Sequence, residues 1–344
     1  MTLVSCPVRK ARSLEDGRPQ SEEIDTTPLR NLILWLSTKK SVTDAIARRG
    51  MKYGFARRFV AGETLDEAIS VAAELGRAGR RVTLNQLGEN VTTAEESRLS
   101  CDTYLEMLRA LDRAALDATI SVKLTHLGLD LDFQHCRSLT LEIAAQAAAL
   151  GHTLEIDMEG SAYTDRTIEI FEAAQHQYHN AGLALQASLR RSERDLERLA
   201  ILDPKIRLVK GAYREPPALA FQKKSEVDAN YRKLLDLLLR PRPSGRFTAA
   251  IATHDPALLD FARHAIQQYA VPPSRYEFQM LYGIRRDLQE QVHAAGHPLR
   301  VYTPFGSAWC PYFMRRLAER PANIWFLIRS LSAEGKHSPS GQAK

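Results

Sequence analysis

Short apolar runs alternate with longer helical segments along most of this 344-residue chain. From about residue 81 onward, eight runs rich in β-branched and other apolar residues are separated by segments whose apolar positions recur with the helical period. The runs are residues 82–87, 119–124, 154–158, 183–187, 206–209, 248–252, 276–281 and 299–302. Eight strands that alternate with helices predict an α/β fold, the closed (β/α)₈ barrel of the TIM type.

Helix start signals support this alternation. Capping residues and acids at 92–96, the Ser-Glu-Arg-Asp run at 192–195 and the pair Asp255-Pro256 each predict a helix start. The barrel is therefore assigned to residues 81–333. Residues 29–80 are predicted to form an N-terminal helical arm. The polar start, 1–28, and the tail, 334–344, are predicted to be disordered.

Composition narrows the class of protein. The net charge of +6 is spread along the chain without a block of like charge, which argues against a nucleic-acid partner and favours anionic ligands. Residues 1–25 lack the apolar stretch of a secretory signal, and the apolar runs 32–36 and 324–328 are too short to span a bilayer. Four scattered cysteines indicate a reducing compartment, so we expect a cytoplasmic protein.

Polar residues end many of the predicted strands. Active sites of TIM barrels lie at the carboxyl-terminal ends of the strands, so these residues should share one rim. They include Lys123, Asp157, Gln186, Lys210, His254 and Tyr302. Such a concentration of charged and polar groups predicts a functional site at this rim.

One face of the last helix is polar where a barrel helix is usually apolar. Tyr312, Arg315, Arg316 and Glu319 follow the spacing i, i+3, i+4 and i+7. Two adjacent guanidinium groups can clamp a carboxylate, and the nearby helix N-terminus favours an anion. The alternative is a solvated outer face with an Arg–Glu pair.

Three charged strand residues leave alternatives open. Lys123 could contact an anionic substrate, form a Schiff base or simply pair with Asp157. Arg207 could donate to a flavin ring or form a structural ion pair inside the barrel. In a regular strand Arg207 and Lys210 would lie on opposite sides of the sheet. Both could face the barrel interior only if the strand ends at Lys210.

The remaining local signals are weak, or negative. Gly211-Ala212 would allow a ligand to approach the backbone closely, and Thr253-His254 precede a helix N-terminus that could bind phosphate. A capping or core role for His254 is an equal alternative. The sequence contains no HExxH, GxGxxG or GxxxxGK[ST] motif, so we expect no metal site and no Rossmann-type dinucleotide site.

Longer motifs carry a family resemblance. They are ISVKLT at 120–125, LVKGAYREP at 208–216, ATHDP at 252–256, EFQMLYG at 277–283 and YFMRRLAERP at 312–321. In this order they resemble the proline dehydrogenase family, both its bacterial monofunctional members and the dehydrogenase domain of proline utilization A. The resemblance extends from about residue 59 to residue 331.

The resemblance implies a function. It predicts a distorted barrel whose eighth helix lies over the barrel mouth, FAD as cofactor and L-proline as substrate. Hydride transfer from proline to flavin N5 would give 1-pyrroline-5-carboxylate, the first step of proline catabolism to glutamate. Electrons would pass to a quinone, with peripheral contact at the inner face of the membrane. The rivals from other classes are a Schiff-base lyase using Lys123 or Lys210, and a non-catalytic binding barrel.

The resemblance also assigns residues. Asp157 and Arg207 would be catalytic, with Arg207 near flavin N5. Substrate would be bound by Lys123, Leu281, Tyr302, Tyr312, Arg315 and Arg316. FAD would be contacted by Met158, Gln186, Arg207, Lys210, Gly211, Ala212, Tyr213, Thr253, His254 and Glu319.

Two residues depart from the family pattern. Asn85 stands where relatives often have Asp, and Ser188 where they often have Tyr. Both put local contacts in doubt rather than the reaction. Glu89, in the loop after the first strand, could pair with Arg315 or Arg316 as a latch.

Overall fold

A computed structural model describes residues 56–88, 90–241 and 248–314 with their side chains, and residues 315–319 as helical backbone. In these residues eight parallel strands close into a barrel in sequential order, which confirms the predicted TIM-type fold. The strands are β1 Arg81–Gln86, β2 Ala118–Val122, β3 Thr153–Ile156, β4 Ala181–Gln186, β5 Lys205–Val209, β6 Thr248–Ala252, β7 Tyr276–Leu281 and β8 Leu299–Phe305. Each predicted run overlaps one of them.

Helix α1 precedes β1, and each later helix follows a strand. The α-helices of the described residues are α1 Leu65–Arg77, α2 Ala94–Arg113, α3 Phe133–Ala149, α4 Thr164–Tyr178, α5 Ser192–Leu199, α6 Lys224–Leu239, α7 Pro256–Gln268, α8 Arg286–Ala294 and α9 Trp309–Glu319. The predicted starts of α2 and α7 are confirmed, because Thr93 and Asp255 accept the expected backbone hydrogen bonds. The predicted disordered ends, 1–28 and 334–344, lie outside the described residues.

The two faces of the sheet differ sharply. On β7, Phe278 and Met280 belong to the apolar core between sheet and helices, where Cys101 and Cys136 are also buried. Glu277 and Gln279 alternate with them and therefore point into the barrel. Other strands repeat this pattern, so the helices hold the barrel by apolar packing while its interior is largely polar. TIM-barrel interiors are usually filled by branched apolar side chains.

A second apolar cluster lies at the carboxyl-terminal rim. Phe313 of α9 packs there against both Phe59 and Trp309. Leu87 and Leu281, from the ends of β1 and β7, border this cluster. The segment before α1 is also tied to the β8–α9 connection by backbone hydrogen bonds from 61 to 304 and from 306 to 62. The first turns of α9 are thereby fixed at the rim. Among the described residues, no helix is both long enough and apolar enough to cross a membrane.

Candidate active site

Asp157 is the centre of the polar group at the carboxyl-terminal end of the barrel interior. Its Oδ1 accepts hydrogen bonds from Ser121 Oγ at 2.8 Å and from Arg207. Its Oδ2 accepts from Lys123 Nζ at 3.0 Å and from the Tyr302 hydroxyl at 2.8 Å. These donors come from β2, β5 and β8 and their ends, so they meet across the barrel. We call Lys123, Asp157, Arg207 and Tyr302 the upper charge layer.

Arg207 is held on every nitrogen of its guanidinium group. Nε donates to Gln279 Oε1 at 2.7 Å, one terminal nitrogen contacts Asp157, and the other forms an ion pair with Glu155. The guanidinium carbon also lies 5.1 Å from the centre of the Tyr302 ring. Burial lowers the pKa of Arg207 to about 10, which still leaves it a cation at neutral pH. Burial also raises the pKa of Tyr302, so its hydroxyl keeps the proton that it donates to Asp157.

Below this lies a lower charge layer, which we define as Glu155, Lys205, Glu277 and Arg300. Lys205 Nζ lies 2.6 Å from Glu155 Oε1 and 2.7 Å from Glu277 Oε1. Arg300 Nε lies 2.9 Å from the same Glu277 oxygen. Two cations therefore face two carboxylates. Although burial opposes it, Lys205 and Arg300 hold the pKa of Glu277 well below its usual value, so this carboxylate stays charged.

The residues of the lower layer and Gln279 lie within the strands, so the polar residues at the strand ends do not point to them. The signal was nevertheless in the sequence. Within β3, β5 and β7 a polar residue alternates with an apolar one, and the apolar set matches the helix-facing side. The polar set must then share the interior, although the alternation does not say which side chains pair there.

The upper layer differs from the lower layer in net charge and in solvent exposure. Among its described side chains, Lys123 and Arg207 supply two positive charges and Asp157 one negative charge. Lys123 and Asp157 remain 16% and 15% exposed, whereas Glu155 is 2% exposed. The excess positive charge therefore lies where a ligand can reach it, and an anion is the favoured ligand. The Lys123–Asp157 ion pair, one of the alternatives for Lys123, is present.

The predicted substrate residues lie around the same end. Leu281 ends β7 and borders the rim cluster to which Tyr312 of α9 belongs. Tyr312 is 8% exposed, so for this member of the polar helix face a solvated position is wrong. Arg315, Arg316 and Glu319 follow on the same helix, which keeps their predicted spacing, but their side chains lie outside the described residues. The proposed latch residue Glu89 also lies outside them.

The predicted cofactor residues form an arc from β3 to β6. Lys210 does not enter the interior: it lies just past the end of β5, on the side that alternation shares with helix-facing Leu208. Its ammonium lies 2.5 Å from Asp228 and 2.8 Å from Asp255. Gly211 follows with a φ of +109°, and a Cβ there would lie 2.1 Å from Ser188 Oγ. A side chain at 211 would therefore strain the backbone and fill this part of the rim.

The other members of the arc are firmly held or lie in the loop after β5. Gln186 Nε2 donates to the backbone oxygen of Glu159 at 2.8 Å. His254 Nε2 accepts a hydrogen bond from the Leu281 amide at 2.9 Å, which places the imidazole proton on Nδ1. Met158 and Thr253 are buried, whereas Ala212 and Tyr213 are exposed.

The N-terminus of α7, considered as a phosphate site, is already capped. Asp255 Oδ1 accepts from the Ala257 amide at 3.1 Å, so its carboxylate occupies the position an anion would take. At the two departures from the family pattern, Asn85 Nδ2 donates to the Ser121 backbone oxygen at 3.3 Å, and Ser188 lies against Gly211.

Comparisons with known proteins identify the family of the chain. The family model described as proline dehydrogenase matches residues 68–329. Proline dehydrogenase 1 of Bacillus subtilis subsp. natto is 36% identical over 303 residues, covering 88% of this chain and 99% of that protein. Proline dehydrogenase of Deinococcus radiodurans is 35% identical over 308 residues, covering 88% and 97%.

The fold has a counterpart among solved structures. Proline utilization A from Bdellovibrio bacteriovorus, inactivated by N-propargylglycine, superimposes with a TM-score of 0.74 at 24% identity, covering 85% of this chain and 36% of that one. That likeness supports the barrel. Because the family model spans most of the chain and the relatives match nearly end to end, the chain belongs to the proline dehydrogenase family.

Proposed function

We propose that this chain is a flavoenzyme that oxidises L-proline to 1-pyrroline-5-carboxylate, the first step of proline catabolism to glutamate. The observation that carries this proposal is the upper charge layer, whose excess positive charge lies at the accessible end of the barrel interior. Proline is a small amphipathic carboxylate, and this layer offers cations beside an aromatic ring. The relatives' names, proline dehydrogenase, point to the same substrate.

FAD fits the arc of residues from β3 to β6. Gly211 and Ala212 after β5 are exposed and carry little or no side chain, so a flat ring could contact the backbone there. The cofactor would be held by Met158, Gln186, Arg207, Lys210, Gly211, Ala212, Tyr213, Thr253, His254 and Glu319. When bound, FAD would supply the hydride acceptor, its N5 atom, which no side chain can replace.

The cations of the site would position proline. Lys123, Arg315 and Arg316 would bind its carboxylate, as paired hydrogen bonds from guanidinium groups can. Leu281, Tyr302 and Tyr312 would form the walls around the pyrrolidine ring. Holding the ring in one orientation lowers the entropic part of the barrier.

Asp157 and Arg207 would prepare the site rather than exchange protons. Asp157 already accepts four hydrogen bonds from described residues, so it acts as a fixed anion that orients Lys123, Arg207 and Tyr302. The surrounding cations favour the neutral form of the proline amine by like-charge repulsion. Water would take that proton.

The electron acceptor is the finer part of the proposal. We infer that a membrane quinone reoxidises the enzyme, through peripheral contact of a cytoplasmic protein with the inner face of the membrane. The support is the family resemblance. Anaerobic enzyme reduced by proline should be reoxidised by vesicles that contain quinone, and vesicles of the same lipid without quinone provide the control.

The absorption spectrum of the purified protein tests the flavin and the substrate together. We expect a yellow protein whose flavin bands are bleached by L-proline without oxygen and return with an acceptor. A colourless protein that cannot be reconstituted with FAD would contradict the proposal.

The rival Schiff-base lyase predicts trapping by borohydride with a carbonyl substrate. The ammonium groups of Lys123 and Lys210 are both ion-paired with carboxylates, at 3.0 Å and 2.5 Å. A charged ammonium has no lone pair with which to attack a carbonyl. We therefore expect no trapped adduct at either lysine.

Variants of α9 test the carboxylate clamp. Arg315→Met and Arg316→Met should each raise KM for proline by the equivalent of about 2–5 kcal/mol, because a charge in the site loses its partner. Bound flavin should be unchanged. Arg263→Met on α7, which removes a surface pair with Asp260, is the matched control and should leave KM unchanged. Wild-type kinetics in both clamp variants would contradict the assignment.

A further inference from the structure

Glu155 connects the two charge layers of the barrel interior. Its Oε1 lies 2.6 Å from Lys205 Nζ and accepts from Gln279 Nε2 at 3.2 Å, while its Oε2 contacts the Arg207 guanidinium. The side chain is 2% exposed, so water hardly screens these contacts. A charge in such a place acts more strongly on its neighbours than a surface charge.

A glycine makes room for this carboxylate. Gly182 of β4 lies between Glu155 and Lys205 in the strand register. A Cβ at 182 would lie 3.3 Å from Glu155 Cγ and 3.2 Å from the Lys205 backbone oxygen. Because β4 presents no side chain here, Glu155 can reach across it from β3 to the two cations of β5.

The charge of Glu155 bears on both layers. Glu277, the other carboxylate of the lower layer, contacts Lys205 and Arg300, and the described contacts give it no ion pair with Arg207. Glu155 does have one. Removing the Glu155 charge would therefore leave more of the Arg207 charge uncompensated, and the upper layer more positive. Glu277 reaches Arg207 only across the Gln279 amide, so removing its charge should change the upper layer less.

We propose that Glu155 is a positioning residue for the reaction: it orients Arg207 from below and sets how much positive charge that guanidinium presents to the flavin. This rests on the proposed function, in which Arg207 lies near flavin N5. Glu155 touches neither substrate nor cofactor in this account. It acts through Arg207, and the flavin's affinity for electrons and for anions should follow the charge at position 155.

The test is Glu155→Gln in the FAD-loaded protein, with sulfite as the probe. Sulfite is an anion that adds to oxidised flavin and removes its visible absorbance, so its dissociation constant reports positive charge at the flavin without any turnover. Gln keeps the shape of Glu and removes the charge. We expect sulfite to bind on the order of tenfold more tightly to Glu155→Gln than to wild type.

The matched control is Glu277→Gln, which removes an equally buried carboxylate of the lower layer. It should lower the thermal midpoint as Glu155→Gln does, yet raise the sulfite affinity much less, because Glu277 reaches Arg207 only across Gln279. Titration at pH 6.5 lies below the pKa of about 8 to which burial lowers Lys205 in the wild-type barrel, so this cation stays charged there.

The sulfite titrations and the flavin spectrum test the role of Glu155 and the proposed function separately. Unchanged sulfite affinity in flavin-loaded Glu155→Gln, or an equal increase in both variants, would overturn the proposal. Should Glu155→Gln fail to fold, Lys205→Met provides the second test: it frees Glu155 to act on Arg207 alone, so sulfite should bind more weakly, and tighter or equal binding overturns the proposal. A wild-type protein without flavin would overturn the proposed function as well, and its spectrum shows this before sulfite is added.

Discussion

The two charge layers share β3, β5 and β8 but have different roles. In the lower layer two cations face two carboxylates, and these described side chains are at most 14% exposed. In the upper layer the described cations outnumber the carboxylate, and Lys123 and Asp157 reach solvent. Matched buried charges fix geometry at little net gain in stability. Unmatched, accessible charge is left over for a ligand, so we expect structural defects from the lower layer and kinetic defects from the upper.

The largest effect should come from Arg300→Met in the lower layer. It removes the ion pair with Glu277 and the hydrogen bond to the Val82 backbone oxygen at 2.8 Å, leaving a buried carboxylate partly unpaired. The free energy of unfolding should fall by about 3–5 kcal/mol. Denaturant titration measures it, and kcat/KM per folded enzyme should stay near the wild-type value. A kinetic loss at unchanged stability would break the comparison.

Arg207→Met, in the upper layer, should lower the activity more than the stability. It removes the cation that faces the proposed reaction site, and kcat/KM for proline should fall on the order of 10²–10³-fold. Steady-state kinetics, normalised to bound flavin, measure this. If the variant loses stability but keeps its turnover number, Arg207 has a structural role instead.

Mild acid should lower the stability of the fold. Burial, helped by Lys123, lowers the pKa of His126, in the turn after β2, to about 4 from an ordinary 6.5. The unfolded chain therefore binds a proton between pH 6.5 and 4 that the folded chain refuses. Stability should fall over this window by about 3 kcal/mol. Glu277 of the lower layer should add to this loss only as the pH approaches 4.5, the ordinary glutamate value, because its own pKa is held below that value. Burial also lowers the pKa of His297, just before β8, so this histidine adds to the loss below pH 6.5.

His126→Asn checks the source of that acid sensitivity. Chemical denaturation at a series of pH values should show a flatter profile for the variant than for wild type between pH 6.5 and 4. Equal slopes would place the acid-sensitive group elsewhere in the chain.

The smallest effect should come from Tyr302→Phe. The ring remains beside Arg207, but Asp157 loses the hydroxyl that donates to it at 2.8 Å. We expect kcat/KM to fall roughly tenfold or less, the equivalent of about 1 kcal/mol. Tyr276→Phe is the matched control. Tyr276 begins β7, far from the upper layer, and its hydroxyl bonds His297, so losing this hydroxyl should leave the kinetics unchanged.

The sequence predicted the barrel because apolar residues recur with a different period in strands and in helices. It predicted a site at the rim because the carboxyl-terminal ends of the strands come together in this fold. Lys123, Asp157 and Tyr302 do meet there. It could not predict partners inside the barrel. Which side chain of β3 meets which of β5 or β7 depends on the stagger of the closed sheet, so the Glu155–Arg207 contact was not foreseeable. Alternation with Leu208 did predict that Lys210 faces the helices, where it pairs with Asp228 of α6.

The backbone hydrogen bonds from Ala61 to Pro304 and from Gly306 to Gly62 have a consequence for biosynthesis. The partners are separated by more than two hundred residues, and β1 also has β8 as a neighbour. On the ribosome, the first strand must wait with an open edge until β8 has left the exit tunnel. During that interval the open edge of β1 can pair with other chains, and a translational pause before β8 would lengthen its exposure.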